Sequence, residues 1–269
     1  MPELPEMENY KIHLQQFILK KMITDVVVNR EKSINTAASF FIDAVKGAQI
    51  ISIERKAKHL LFHLNNGKIM LLHLMLGGWM FYGKEMDKPK RTIQIQLCFS
   101  DKSLYFIGLR LGYLHLLTKE EVKQELLDLG PEPLEANFTE TFFLSHLLKK
   151  RGNLKLKLVD QHFLSGIGNC YSDEICYDAQ ILPSKKLEAL TKTEQKKLYY
   201  SIQKVLLHAT AIGGYMEHPF FINDKKTGSF NDFCQVYDEA GKECNRCGNT
   251  IAQTAISSKK TFYCPGCQF

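Results

Sequence analysis

Apolar residues recur at Met7, Tyr10, Leu14, Phe17 and Ile18, a spacing that puts them on one face of a helix. Pro5 suits a first helical turn, and Glu6 and Glu8 suit the positive end of the helix dipole, so the chain is predicted to open with an amphipathic helix. The period then shortens. Residues 25–30 and 48–55 read as strands, and Asn65-Asn66-Gly67 separates two apolar runs as a hairpin turn does. Ile93, Ile95, Leu97 and Phe99 alternate with Thr92, Gln94, Gln96 and Cys98, which predicts a half-buried strand that Asp101-Lys102-Ser103 turns into residues 104–107. Beyond residue 118 the period lengthens again. Residues 119–129, 140–150 and 194–211 carry helical spacing, and Thr191-x-x-Glu194 supplies a capping box ahead of the last. A less regular stretch, 213–235, leads to paired cysteines, and neither a repeat nor a low-complexity tract is found.

These changes of period divide the chain into a β-rich domain at 1–117, a linker region at 118–134 around Leu129-Gly130-Pro131-Glu132-Pro133, a helical domain at 135–235 and a cysteine-bearing segment at 236–269. The fold class expected is α+β. With 45% apolar and 24% charged residues among 269, the chain has enough core for two domains. Apolar runs such as 69–79 are broken by His73 and glycines and fall far short of a membrane span, and the amino terminus is acidic where a signal peptide is basic. No membrane partner is expected, and a cytoplasmic location follows. The net charge of +6 is uneven: residues 1–117 hold 16 Lys and Arg against 10 Asp and Glu, while 118–269 hold 19 of each. A basic first half permits phosphate binding without requiring it.

The cysteines carry the most specific chemistry. Cys244-x-x-Cys247 and Cys264-x-x-Cys267, sixteen residues apart, can wrap four thiolates tetrahedrally around one structural zinc ion, with Gly248 and Gly266 easing the turns. A redox pair or disulfides is the alternative, disfavoured by the scattered Cys98, Cys170, Cys176 and Cys234, which read as packing residues, and by the expected cytoplasmic location. At the other end, removal of Met1 would expose Pro2 as a secondary amine. An α-amino group titrates near about 8, so an appreciable fraction is an uncharged nucleophile at neutral pH. Taken alone, Pro2 and Glu3 could equally just begin a helix.

Met1-Pro2-Glu3-Leu4-Pro5-Glu6, Lys58 within Arg55-Lys56-Ala57-Lys58-His59, Leu129-Gly130-Pro131-Glu132-Pro133-Leu134, the run from Asp160-Gln161-His162-Phe163 through Gly166-Ile167-Gly168-Asn169 to Glu174, and the terminal cysteines together resemble the formamidopyrimidine-DNA glycosylase and endonuclease VIII family, in colinear order over nearly the whole chain. The resemblance implies an N-terminal catalytic β-sandwich flanked by helices, a helix-two-turn-helix DNA-binding domain and a β-hairpin zinc finger, with damaged double-stranded DNA as partner and no organic cofactor. It implies that Pro2 attacks C1′ of an everted nucleotide while Glu3 acts as general acid and base, releasing the base and leaving an iminium that promotes elimination of the flanking phosphates. Lys58 matches a lysine used near the scissile phosphate and in elimination. Asn169 matches a phosphate-binding asparagine at a helix start. Lys90, Arg151 and Lys155 fall where family members contact phosphate, and each could equally be a solvated charge.

Departures from the family pattern fall on the DNA-facing residues. Leu76 stands where a methionine commonly fills the gap left by the flipped base, and it remains an apolar wedge. Ile107-Gly108-Leu109-Arg110-Leu111-Gly112 puts Leu109 in place of an arginine that reads the opposite base, and Leu111 in place of an aromatic wedge. Lys259 replaces the zinc-finger arginine that grips phosphate, keeping charge but losing the bidentate fork. After Gly213-Gly214 the chain reads Tyr215-Met216-Glu217-His218-Pro219, unlike the family's usual loop, so 8-oxoguanine is not assumed as the lesion. The expectation is a monomeric bifunctional glycosylase and abasic-site lyase acting on oxidised or ring-opened bases, with Pro2, Glu3, Lys58 and Lys259 as its catalytic set. The alternative is a DNA-damage-binding paralogue without base excision.

Overall fold

The opening helix forms as its apolar spacing requires: α1 spans Leu4–Ile18 and buries Met7, Tyr10, Leu14 and Ile18. The computed structural model describes residues 1–148 and 150–269 in two units, Met1–Asp128 with Gly213–Ser229, and Leu129–Ile212 with Phe230–Phe269. The first unit continues with β1 (Asp25–Val28), α2 (Ala38–Val45), β2 (Ile50–Lys56), β3 (His59–Leu64), β4 (Ile69–His73), β5 (Trp79–Gly83), β6 (Ile93–Phe99), β7 (Lys102–Ile107), β8 (Tyr113–Leu117) and α3 (Lys119–Glu125). The strands pair antiparallel in two four-stranded sheets, ordered β1-β6-β7-β5 and β2-β3-β4-β8. Ile53, Phe62, Met70 and Leu114 from one sheet and Ile95, Leu97, Leu104 and Phe106 from the other merge with α1 into one core, which makes the unit a β-sandwich.

Both sheets are also covered outside. Leu61, Ile69, Leu71 and Leu117 pack with Val122 of α3, while Trp79, Phe81, Ile93, Tyr105 and Ile107 gather on the outer face of the other sheet. Double burial removes the polar alternation from β4 and β5, so β5 has no period-two signature in the sequence.

The second unit holds α4 (Glu140–Leu148), α5 (Leu154–Leu158), α6 (Asn169–Ala179), α7 (Lys192–Ile212) and a terminal hairpin, β9 (Ala252–Ile256) with β10 (Lys259–Tyr263). The expected capping box starts α7, with Thr191 N donating to Glu194 Oε2 at 2.9 Å and Glu194 N to Thr191 Oγ1 at 3.2 Å. Buried α6 anchors the cysteine-bearing segment. Glu174 accepts the backbone N–H groups of Gln235, Val236 and Tyr237, and Asp173 accepts that of Phe262 at 3.1 Å. Burial pushes the Glu174 carboxyl above its ordinary range even though three N–H donors favour its charged form.

Two segments lie elsewhere than the sequence reading puts them. Residues 119–125, read as part of the linker, cap the sandwich as α3. Gly213–Ser229, read within the helical domain, belongs to the first unit. Phe220 inserts among Tyr10, His13 and Phe17 at centroid distances of 5.4, 5.5 and 6.4 Å, and its carbonyl accepts Tyr82 N–H at 2.7 Å. Aromatic burial fixes this placement, and irregular backbone carries no periodic signal of it.

Candidate active site and zinc knuckle

In the first unit, Pro2 precedes the cap of α1 and is buried, with Met1 half exposed beside it. Glu3 N–H donates to Glu6 Oε2 at 2.6 Å, and the second oxygen of Glu6 accepts Tyr215 N–H at 2.8 Å. Gly214 has φ +74, and a Cβ there would stand 2.3 Å from Glu6 Oε1, so only glycine admits that approach. Glu6 thus ties the amino terminus to the Tyr215 segment. The sequence reading gave it only a helix-dipole role.

Lys58 is the second residue of the two-residue β2–β3 turn, following Ala57 at φ +52, and is 4% exposed. Beside it the rings of His59 and His73 lie 4.3 Å apart. Burial, then the charges of His59 and Lys58, hold the His73 imidazole down to about 3.

Leu76 is 67% exposed and Leu111 63% exposed. Their loops touch through backbone: a Cβ on Gly108, at φ +72, would meet Gly77 O at 2.0 Å. Leu109 is a correction. It is fully buried in the sandwich core, with its N–H donating to Gln94 Oε1 at 3.2 Å and its carbonyl accepting Ser33 Oγ–H at 3.0 Å. Its side chain is withdrawn from the surface, and the neighbouring Arg110 is the exposed residue. Lys90 is exposed in the loop between β5 and β6.

Two cavities adjoin these loops. One of about 200 Å³ is lined by Pro2, Leu76, Trp79, Tyr215, Glu217 and His218 among others. A second of about 560 Å³ is lined by Leu76, Trp79, Arg91, Arg110, Leu111 and His218 among others. Trp79 and His218 belong to both, with ring centroids 4.2 Å apart. In the sequence His218 stands out only as part of the altered Tyr215–Pro219 loop, and Trp79 has no assigned role. The available signal was a tryptophan immediately after the Leu76-Gly77-Gly78 loop.

In the second unit, Asn169 opens α6 and is half-buried, and the Gln161 side chain braces the turn before it, donating to Ile167 O at 2.8 Å and accepting Gly166 N–H at 2.9 Å. Lys155 is the second correction. Its side chain is 0% exposed, and Nζ donates to Asp173 Oδ1 at 2.7 Å and Asn169 O at 2.9 Å. An ammonium committed to those partners braces the start of α6 from below and is withdrawn from phosphate. Arg151 is exposed. Lys259 is exposed at the start of β10, after Ser257 and Ser258, both at positive φ, in the tight β9–β10 turn.

The four Sγ atoms of Cys244, Cys247, Cys264 and Cys267 lie within 4.8 Å of one another. Cys244 and Cys267 are 3.8 Å apart and Cys247 and Cys264 3.4 Å, close to the roughly 3.8 Å edge of a tetrahedral zinc–thiolate site. The set therefore fits one structural zinc ion. Donors surround the sulfurs: Tyr177 Oη is 3.3 Å from Cys244 Sγ, Arg246 Nη1 3.6 Å from Cys267 Sγ, and Asn249 Nδ2 3.4 Å from Cys247 Sγ. Such donors offset the negative charge of four thiolates.

A β-sandwich carrying Pro2 at a cavity, and a helical unit ending in a four-thiolate knuckle, define a zinc-finger protein of the sandwich and helix-two-turn-helix class. Residues 1–113 match the formamidopyrimidine-DNA glycosylase N-terminal domain, residues 129–218 the formamidopyrimidine-DNA glycosylase H2TH domain, and residues 241–268 the zinc finger found in FPG and IleRS. The chain belongs to the formamidopyrimidine-DNA glycosylase family. It is 34% identical to the formamidopyrimidine-DNA glycosylase of Desulfitobacterium hafniense, over 100% of both chains. To that of Bacillus cereus it is 33% identical, over 100% of this chain and 99% of the relative. Among solved structures, the Lactococcus lactis Fpg in complex with DNA containing an abasic site matches with a TM-score of 0.91 at 28% identity, covering 99% of each chain.

Proposed function

We propose that this protein is a bifunctional DNA glycosylase and abasic-site lyase that removes an oxidised or ring-opened base from DNA. The observation that carries the reading is Pro2, at the head of a chain colinear with the family throughout, lining a cavity next to the exposed wedge Leu76. With Met1 present the Pro2 nitrogen is a peptide nitrogen; with Met1 removed it is a secondary amine.

In the proposed reaction that amine attacks C1′ of the everted nucleotide, and the bond from C1′ to the base breaks with its electron pair going to the base. Glu3 gives a proton to the opening sugar ring and later accepts one. Ring opening leaves an iminium between C1′ and the amine, which acidifies C2′. Loss of the C2′ proton expels the 3′ phosphate, and loss of a second proton, from C4′ of the conjugated iminium so formed, expels the 5′ phosphate. Lys58 and Lys259 position phosphates and assist elimination. Leu76 and Leu111 fill the space vacated by the base, while Asn169, Arg151 and Lys90 hold the backbone. Cys244, Cys247, Cys264 and Cys267 would hold a structural zinc ion, bracing the segment that carries the β9–β10 hairpin and Lys259.

Borohydride trapping on duplex DNA containing an abasic site tests the reading. A covalent adduct is expected with protein lacking Met1 and is lost on Pro2→Gly substitution combined with amine blocking. Folded, processed protein that gives no adduct refutes the lyase mechanism. Tight binding without release of any base across a lesion panel supports instead a damage-binding paralogue.

A further inference from the structure

Trp79 and His218 are held very differently although their rings lie 4.2 Å apart, 36° from parallel. Trp79 opens β5 and is only 9% exposed, locked against Phe81, Ile93, Tyr105 and Ile107. His218 lies in an irregular stretch and is half-buried. The pair forms the shared wall of the Pro2 cavity and the cavity that holds Leu111 and Arg110.

We propose that Trp79 is the platform on which the everted base stacks beside Pro2, and that His218 occupies that face in the DNA-free protein and yields it to the base. The proposal rests on the reading of Pro2 as the nucleophile. A base whose C1′ meets Pro2 must enter the cavity that Pro2 lines. Of the aromatic rings there, Trp79 opens a strand and is buried in a packed cluster that fixes its plane. The imidazole at 4.2 Å shows that one indole face accepts a flat ring. Stacking tolerates any base with an intact π-face, whereas hydrogen-bond readout demands one edge pattern. The substrate class that follows is flat lesions, ahead of pyrimidines saturated at C5 and C6, whose puckered rings stack poorly. Trp79 is a positioning and specificity residue in this scheme, and it exchanges no proton.

Trp79 is the sole tryptophan, so its emission reports on this site alone. The test titrates the full protein with one duplex sequence carrying, in turn, a carbocyclic formamidopyrimidine, a 2′-fluoro 8-oxoguanine nucleotide, 5,6-dihydrothymine or a tetrahydrofuran site with no base. Loss of emission is expected with the two flat, uncleavable lesions, less with dihydrothymine, and none beyond the general effect of DNA with tetrahydrofuran. In parallel, Trp79→Leu is expected to lower the ratio of base release to abasic-site cleavage roughly tenfold, with Trp79→Phe restoring most of it. The abasic substrate has no base to stack, so the ratio separates a platform from a fold defect. Equal emission with tetrahydrofuran and every base-bearing duplex, or an unchanged ratio in Trp79→Leu, overturns the platform. If Trp79→Leu fails to fold, the emission series on unaltered protein decides. Failure of the Pro2 reading is distinct: it removes the borohydride adduct, whereas failure of the platform leaves the adduct in place.

Discussion

The carboxylate of Glu6 accepts the backbone N–H of Tyr215, 209 residues further along the chain, at 2.8 Å. Its other oxygen accepts Glu3 N–H, so a single side chain fixes the residue next to Pro2 and the segment that walls the Pro2 cavity. Glu6→Ala takes this acceptor from two backbone donors and is expected to cost about 2 kcal/mol in urea unfolding. Limited proteolysis within 213–229 should quicken in step. Unchanged stability and cleavage would show that the segment is held without Glu6, by its other contacts such as the burial of Phe220 and the bond from Asn9 Nδ2 to Thr227 Oγ1.

Lys155 and Asp173 form an ion pair with neither side chain exposed. Removing one partner strands the other's charge, so Lys155→Met is expected to destabilise by about 3–5 kcal/mol, and adding Asp173→Leu to recover much of that. The double variant also separates the structural role from phosphate binding. A phosphate contact would lower the salt dependence of DNA affinity by about one unit of slope on its loss. The buried geometry predicts the same slope as the unaltered protein.

What the sequence discloses and what it conceals follow the physics of each signal. Local periodicity identified α1, β6, the β3–β4 hairpin and the start of α7, because each satisfies its pattern within a few residues. The zinc ligands were legible for the same reason: four thiolates at fixed spacing are a local constraint. Burial of Leu109 and Lys155 was not legible. Both sit at positions that face DNA in the family pattern, and only the sandwich core around the side chain of one, whose backbone Gln94 and Ser33 hold, and the ion pair of the other with Asp173 reveal where they go. The Trp79–His218 contact joins residues 139 positions apart, beyond the reach of any short-range pattern.

Leu109 decides the expected opposite-base behaviour. A bidentate side chain at that place is worth about 1–3 kcal/mol of discrimination, and a buried leucine supplies none. Base release opposite cytosine, adenine, guanine and thymine is therefore expected to vary by less than about fivefold, below the range that such a pair confers. Arg110 is exposed by the second cavity, and Arg110→Ala is expected to lower the salt slope by about one as a phosphate contact does, without altering the opposite-base ratios. A large cytosine preference that disappears in Arg110→Ala would reassign base reading to Arg110.

His73 makes stability sensitive to acid. Burial first, with the charges of His59 and Lys58, lowers its folded pKa to about 3, against about 6.5 in an unfolded chain. Its Nε2 is buried without a hydrogen-bond partner among the described residues, so the neutral ring is the form the fold accommodates. Above pH 6.5 the ring is neutral in both states and contributes no pH dependence. As pH falls below 6.5 the unfolded chain binds a proton that the folded protein refuses until about pH 3, so stability is lost by up to roughly 1.4 kcal/mol per pH unit. His13 and His115 are shifted downward by burial too, so the useful quantity is the difference between proteins. Between pH 6.5 and 5, His73→Phe should lose roughly 1–2 kcal/mol less than the unaltered protein in urea unfolding. Parallel pH profiles for the two proteins would show that His73 takes up its proton in the folded state, and would remove this histidine as the source of acid sensitivity.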